Sequence, residues 1–135
     1  MMDAADRPLT LPQLADVAEV EYARLHSWLK RGLLQASVQT STGSGSPNLF
    51  SSEDALRARI LGDLVRAGVS FKSLQKTAEK LNAHSEFLQG DGVLSVNGSV
   101  EFFSSSQSMG EIKEPGVVYP LSLARAATEQ ALTSS

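Results

Sequence analysis

The stretch that decides the fold reads Thr10-Leu11-Pro12-Gln13-Leu14-Ala15-Asp16-Val17-Ala18-Glu19-Val20-Glu21-Tyr22-Ala23-Arg24-Leu25-His26-Ser27-Trp28-Leu29-Lys30-Arg31-Gly32-Leu33-Leu34. Thr10 is a good N-cap, and Pro12 falls in the first turn, where a missing N–H costs little. Leu11, Leu14, Ala15 and Ala18 then form an apolar stripe at helical spacing. A second helix is expected from about Glu21 to Arg31. Tyr22, Leu25, Trp28 and Leu29 keep the same period, and Gly32 suits the residue just past a helix end. So short a connection forces the two helices to pack at an angle.

Working outward, Leu33 to Thr40 leads into Ser41-Thr42-Gly43-Ser44-Gly45-Ser46-Pro47, a flexible break. Alternation from Ala36 to Thr40 predicts a strand, paired with Asn48-Leu49-Phe50 across that break. Ser51-Ser52-Glu53-Asp54 reads as a capping sequence for a third helix. Its buried face is Leu56, Ile60, Leu61, Leu64 and Val65, and Gly68 ends it. A fourth helix starts at Ser70. Phe71, Leu74, Ala78, Leu81, Ser85 and Leu88 alternate by 3 and 4, a seam that suits packing within the domain or a short dimer helix.

The chain then changes character. Gly92 to Val96, the turn Asn97-Gly98, and Ser99 to Phe103 predict a hairpin with a two-residue type I′ turn. Two strands alone are marginal, so the hairpin must pack on the helices, a second copy or a partner. Residues 104–116 read as loop. Residues 121–132 are expected to form a short helix with Leu121, Ala124, Thr128 and Leu132 on one side. The fold class is thus mostly α with small β (α+β). The expected organisation is a leader over 1–9, a helical domain over 10–89 and a hairpin-bearing tail over 90–135.

Composition narrows the chemistry. The 135 residues are 41% hydrophobic and 20% charged, in the globular range. There is no cysteine, which removes disulfides, thiolate metal sites and cysteine nucleophiles. His26 and His84 lie 58 positions apart, so no local metal-binding pair exists. No apolar run spans a membrane, and the N-terminus lacks the apolar core of a secretory signal, so a cytoplasmic location is expected. Gly43-Ser44-Gly45-Ser46 lacks the lysine and the strand-to-helix setting of a phosphate loop. No catalytic triad is recognisable, and no enzyme activity, metal or cofactor is expected. Net charge is −3, yet residues 1–81 carry 10 Lys+Arg against 9 Asp+Glu, and residues 82–135 carry 2 against 6. The cations sit with the helices, and the tail is acidic.

Residues 10–34 fit a helix-turn-helix on these grounds. Ala15 is small where two helices approach, Val20 is apolar after the turn, and Leu25 and Trp28 point inward. Glu19 stands where the turn usually has glycine. At this point the chain resembles the mercury-resistance-regulator (MerR) superfamily. The residues are Leu14-Ala15, Val20, Leu25, Trp28, Lys30-Arg31-Gly32-Leu33-Leu34, Leu49-Phe50-Ser51-Ser52-Glu53-Asp54, Ile60, Ala67-Gly68-Val69-Ser70 and Leu74, in order over about 9–82. The resemblance implies a winged helix-turn-helix that binds double-stranded DNA as a homodimer, with the second helix in the major groove.

On that reading Tyr22, Arg24, His26, Ser27, Lys30 and Arg31 face DNA from the second helix. Arginine suits guanine or phosphate, and Lys30 and Arg31 suit the backbone. Thr10 and Gln13 stand at a helix N-terminus able to hold a phosphate. Ser41, Thr42, Gly43 and Ser44 would form a wing, without the basic residue that family wings carry. Leu74, Leu81, Leu88, Val96, Phe102 and Phe103 are candidates for a dimer or partner interface, and the acidic tail for a protein partner. The expected role is a bacterial sequence-specific transcriptional regulator associated with the nucleoid. The rivals are an antitoxin-like or adaptor module on the same fold, and a small DNA-architectural factor.

Overall fold

The computed structural model describes residues 8–38, 48–84, 86, 88, 93–96, 100–103 and 117–134. Five helices and three strands follow in the order α1 (Leu11–Ala18), α2 (Tyr22–Arg31), α3 (Ser52–Arg66), α4 (Phe71–Ala83), β1 (Val93–Val96), β2 (Val100–Phe103), β3 (Val117–Pro120) and α5 (Leu121–Ser134). No helix among the described residues is long and apolar enough to cross a membrane.

Helix starts follow local chemistry. Thr10 and Gln13 form a reciprocal capping box on α1, Ser51 and Asp54 form another on α3, and Ser70 caps α4. α3 is the central element. α1, α4 and α5 all pack on it. Phe50, Leu14, Leu25, Ile60, Leu61 and Leu64 are fully buried between them. α5 turns Leu121, Ala124, Thr128 and Leu132 inward, all at 3% exposure or less, and Thr128 returns its hydroxyl proton to the Ala124 carbonyl.

In the helical part, four details differ from the sequence expectations. Leu9, placed in the leader, is buried and makes two backbone bonds of 2.8 Å with Phe50, an antiparallel bridge that ties the entry of α1 to the start of α3. The described part of the expected strand at Ala36–Thr40 is irregular, and Val38 keeps a single bond to the Leu49 carbonyl at 3.2 Å. α4 stops at Ala83 rather than running to Leu88. Leu74, Leu81 and Leu88, expected at an interface, are 2%, 0% and 1% exposed and belong to the chain's own core. Of the seam only Phe71 is exposed, and Ser85 lies outside the described residues.

The tail holds a sheet of order β2-β1-β3, antiparallel throughout. Val96 pairs with Val100, so three residues, 97–99, connect β1 and β2 where two were expected. Their turn geometry lies outside the described residues. β3 is an element that sequence reading left unassigned. It adds the third strand, and its Pro120 is tolerated because β3 is an edge strand and Pro120 ends it.

One close contact sets the distance between the helical hairpin and α3. A Cβ built on Gly62 would meet Val20 Cγ2 at 2.6 Å. Val20 is β-branched and buried, so it cannot swing away. Gly62→Ala should therefore destabilise the fold by about 1–2 kcal/mol, overpacking exceeding the gain in helix propensity. Chemical denaturation checks this, and adding Val20→Ala should recover much of the loss.

Candidate nucleic-acid interface

α2 divides cleanly. Leu25 and Trp28 are buried, Leu29 packs partly against the core, and Tyr22, Ala23, Arg24, His26, Lys30 and Arg31 are exposed, with Ser27 half-buried. The periodicity that anchors the helix thus frees its polar face. Tyr22 and His26, one turn apart, stack with ring centroids 6.4 Å apart. Arg31 lies 4.9 Å over the Phe71 ring, which brings the C-terminal end of α2 beside the start of α4. Lys72, next to Phe71 in α4, is exposed as well.

Thr10 and Gln13 are engaged with each other. The Thr10 N–H donates to Gln13 Oε1 at 2.9 Å and the Gln13 N–H to Thr10 Oγ1 at 3.5 Å. Pro12 has no N–H, so this terminus offers a phosphate fewer donors than a free helix end. Ser41, Thr42, Gly43 and Ser44 lie outside the described residues, as do the side chains of Val96, Phe102 and Phe103.

Ser37, after the end of α2, is fixed by a carboxylate that sequence reading saw only as a cap. Asp54, 2% exposed, accepts at Oδ2 from the Ser37 N–H (3.1 Å), the Ser37 hydroxyl (2.6 Å) and the Ser51 N–H (2.9 Å). Its Oδ1 takes Arg57 at 3.1 Å. The four charge-assisted bonds satisfy a buried anion, and the two from Ser37 hold that residue to the start of α3.

The turn between α1 and α2 rests on Glu19, at φ 56° and ψ 45°. A side chain in that left-handed region costs about 1–2 kcal/mol. Two arginines of α3 offset it. Arg66 donates to the Glu19 carbonyl at 2.8 Å, and Arg59 pairs with the Glu19 carboxylate at 3.1 Å. Both also bind Asp63, Arg59 through Nε at 3.3 Å and Arg66 through NH2. Asp63 accepts a further bond from the Tyr119 hydroxyl, which comes from β3. Glu19, Val20, Glu21, Arg24 and Arg66 line a cleft at this turn, so Arg24 of α2 stands beside the cluster. Sequence reading missed Arg59, Asp63, Arg66 and Tyr119. A charged triplet on one helix has many partners open to it, and the partner here is 56 residues away.

Two angled helices, locked at a left-handed turn and presenting a cation-bearing outer face, define a helix-turn-helix of the kind that reads nucleic acid. The pattern of the MerR HTH family regulatory proteins matches residues 9–81, more than half the chain, and the chain belongs to that family, one of transcriptional regulators rather than enzymes. It is also 29% identical over 70 residues to uncharacterized HTH-type transcriptional regulators of Mycobacterium tuberculosis and Mycobacterium bovis. The match takes in 52% of this chain and 31% of each relative. The chain thus spans about a third of the curated relatives it matches.

The Asp63–Tyr119 bond gives the fold a pH signature. Burial alone would raise the Asp63 carboxyl, but the Tyr119 hydroxyl, the Arg66 bond and the charges of Arg59 and Arg66 outweigh it and hold the group below its ordinary 3.8. Burial, then the Asp63 carboxylate, push the Tyr119 hydroxyl well above its ordinary 10.0. A lowered acid stabilises above its unfolded value, and that stability is lost as pH falls through the folded value. A raised phenol stabilises below its unfolded value, and that stability is lost as pH climbs past 10, where only the unfolded chain gives up its proton. Tyr119→Phe should cost about 1–2 kcal/mol at neutral pH. Urea midpoints compared across pH should show the gap between wild type and variant closing at both extremes.

Proposed function

We propose that this chain binds double-stranded DNA sequence-specifically through α2 and regulates transcription as a homodimer. The observation that carries the reading is the outer face of α2. Tyr22, Arg24, His26, Ser27, Lys30 and Arg31 sit on a helix whose opposite side is locked by Leu25 and Trp28. Arg24, His26 and Ser27 would meet base edges, and Lys30 and Arg31 the phosphates, with Lys72 extending the backbone contact. Net charge −3 for the whole chain does not oppose this, because the cations gather on the helical half.

The wing contributes to this reading through Ser41, Thr42, Gly43 and Ser44, by backbone and hydroxyl contacts alone. Residues 39–48 hold no Lys or Arg, so fewer phosphates are neutralised and the salt dependence is shallow. Burial withdraws Leu74, Leu81 and Leu88 from the dimer interface. The homodimer is assigned to the surface of the β2-β1-β3 sheet, with Val96, Phe102 and Phe103. The acidic tail is the candidate surface for a protein partner, and the working place is the nucleoid.

Fluorescence anisotropy with a labelled duplex from the upstream region of the encoding gene tests this, beside a scrambled duplex. Arg24→Ala with Lys30→Ala should weaken binding by about 10–100-fold, in line with roughly 1–3 kcal/mol for a lost bidentate base contact. The slope of log affinity against log salt should fall by about 0.9 for each phosphate contact removed. Equal affinity for the scrambled duplex, or no change in the double variant, would overturn the reading.

A further inference from the structure

We propose that Asp63 is a positioning residue for DNA reading, holding through Arg59 and Arg66 the left-handed turn that aims α2, and that Tyr119 makes this setting depend on the C-terminal segment. The proposal rests on the DNA-binding reading above for one of its two readouts.

Glu19 is the single non-glycine residue at positive φ among the described residues. Its ties to Arg66 and Arg59 are therefore placed where the backbone most needs them. Both arginines have long, flexible side chains, and exposed ion pairs of that kind contribute little by themselves. Here they are pre-oriented. Arg59 and Asp63 side chains are 18% and 23% exposed, and one carboxylate engages both guanidinium groups. The Tyr119 hydroxyl adds a bond to Oδ2, the same oxygen that takes Arg59. Removing it leaves Asp63 less fixed and its arginines freer to leave the turn. Because Tyr119 lies outside the family-matched residues 9–81, a segment beyond the helix-turn-helix domain supplies part of that domain's internal clamp. Arg24 shares the turn cleft with Glu19 and Arg66, so a shift of the turn is a shift of the reading helix.

A merely stabilising network and a positioning one differ in how they respond to Glu19→Gly. Glycine takes a positive φ without strain, so the clamp becomes dispensable for the turn but not for general stability. Tyr119→Phe and Asp63→Asn, each confirmed folded by circular dichroism, would be titrated with the labelled duplex in both backgrounds. In the Glu19 background each should lower affinity by about 3–10-fold, in the range of couplings between linked sites. With Glu19→Gly present the same changes should cost less than about twofold. In the free protein, amide exchange at Val20, whose N–H bonds to the Ala15 carbonyl at 3.1 Å, should speed up in Tyr119→Phe by more than at the core residue Leu81, which registers only the global loss of stability. Equal losses in both backgrounds, or exchange that rises equally at Val20 and Leu81, would overturn the proposal in favour of plain stabilisation. If wild type binds no duplex, the DNA reading fails. The exchange comparison then decides the clamp alone, a selective rise at Val20 upholding it and an unchanged Val20 refuting it.

Discussion

The packing of the left-handed turn at Glu19 and Val20 against Gly62 of α3 is the constraint on which the rest of the molecule depends. α1 has 8 residues and α2 has 10, too short to persist alone in water. Their order comes from tertiary contact. Val20 reaches α3 only because residue 62 has no Cβ, and the strained turn holds because Arg59 and Arg66 reach back to it. Leu14, Leu25 and Trp28 can then bury against the core, and the outer side of α2 is left with Arg24, His26 and Lys30 facing solvent.

Two of the three acidic residues of α3 have separate tasks. Asp54 at its start gathers Ser37, Ser51 and Arg57 and fixes the chain at Ser37. Asp63, 9 positions on, gathers Arg59, Arg66 and Tyr119 beneath the turn. The turn ahead of α2 and the chain at Ser37 are thus each referred to the same rigid helix. For the DNA binding proposed above, that shared reference matters more than the strength of any single bond, since small errors in aim cost base contacts.

Much of this was legible in the sequence because it is local. The caps at Thr10, Ser51 and Ser70, the end of α2 at Gly32, and the inward row Leu121, Ala124, Thr128 and Leu132 follow from chemistry within one turn of each position. Non-local features were not legible. Val117-Val118-Tyr119-Pro120 is short and ends in proline, and it becomes β3 only through pairing with β1, more than 20 residues away. Leu74, Leu81 and Leu88 have a period that fits a dimer seam and an internal face equally well, and only the positions of α3 and α5 decide between them. On α2, the spacing sufficed to put Tyr22, Arg24, His26 and Lys30 on the exposed side, because burial of Leu25 and Trp28 fixes which face is left. At the first turn of α1 the spacing did not show that Thr10 and Gln13 also bond one another in a capping box.

The most direct test of the account is a two-dimensional amide NMR titration of the labelled protein with a duplex it binds. Shifts should be largest along Tyr22, Arg24, His26, Ser27 and Lys30, with smaller changes at the start of α4 beside Arg31. Shifts confined to β1, β2, β3 and α5, with α2 silent, would contradict it and move the binding surface to the tail.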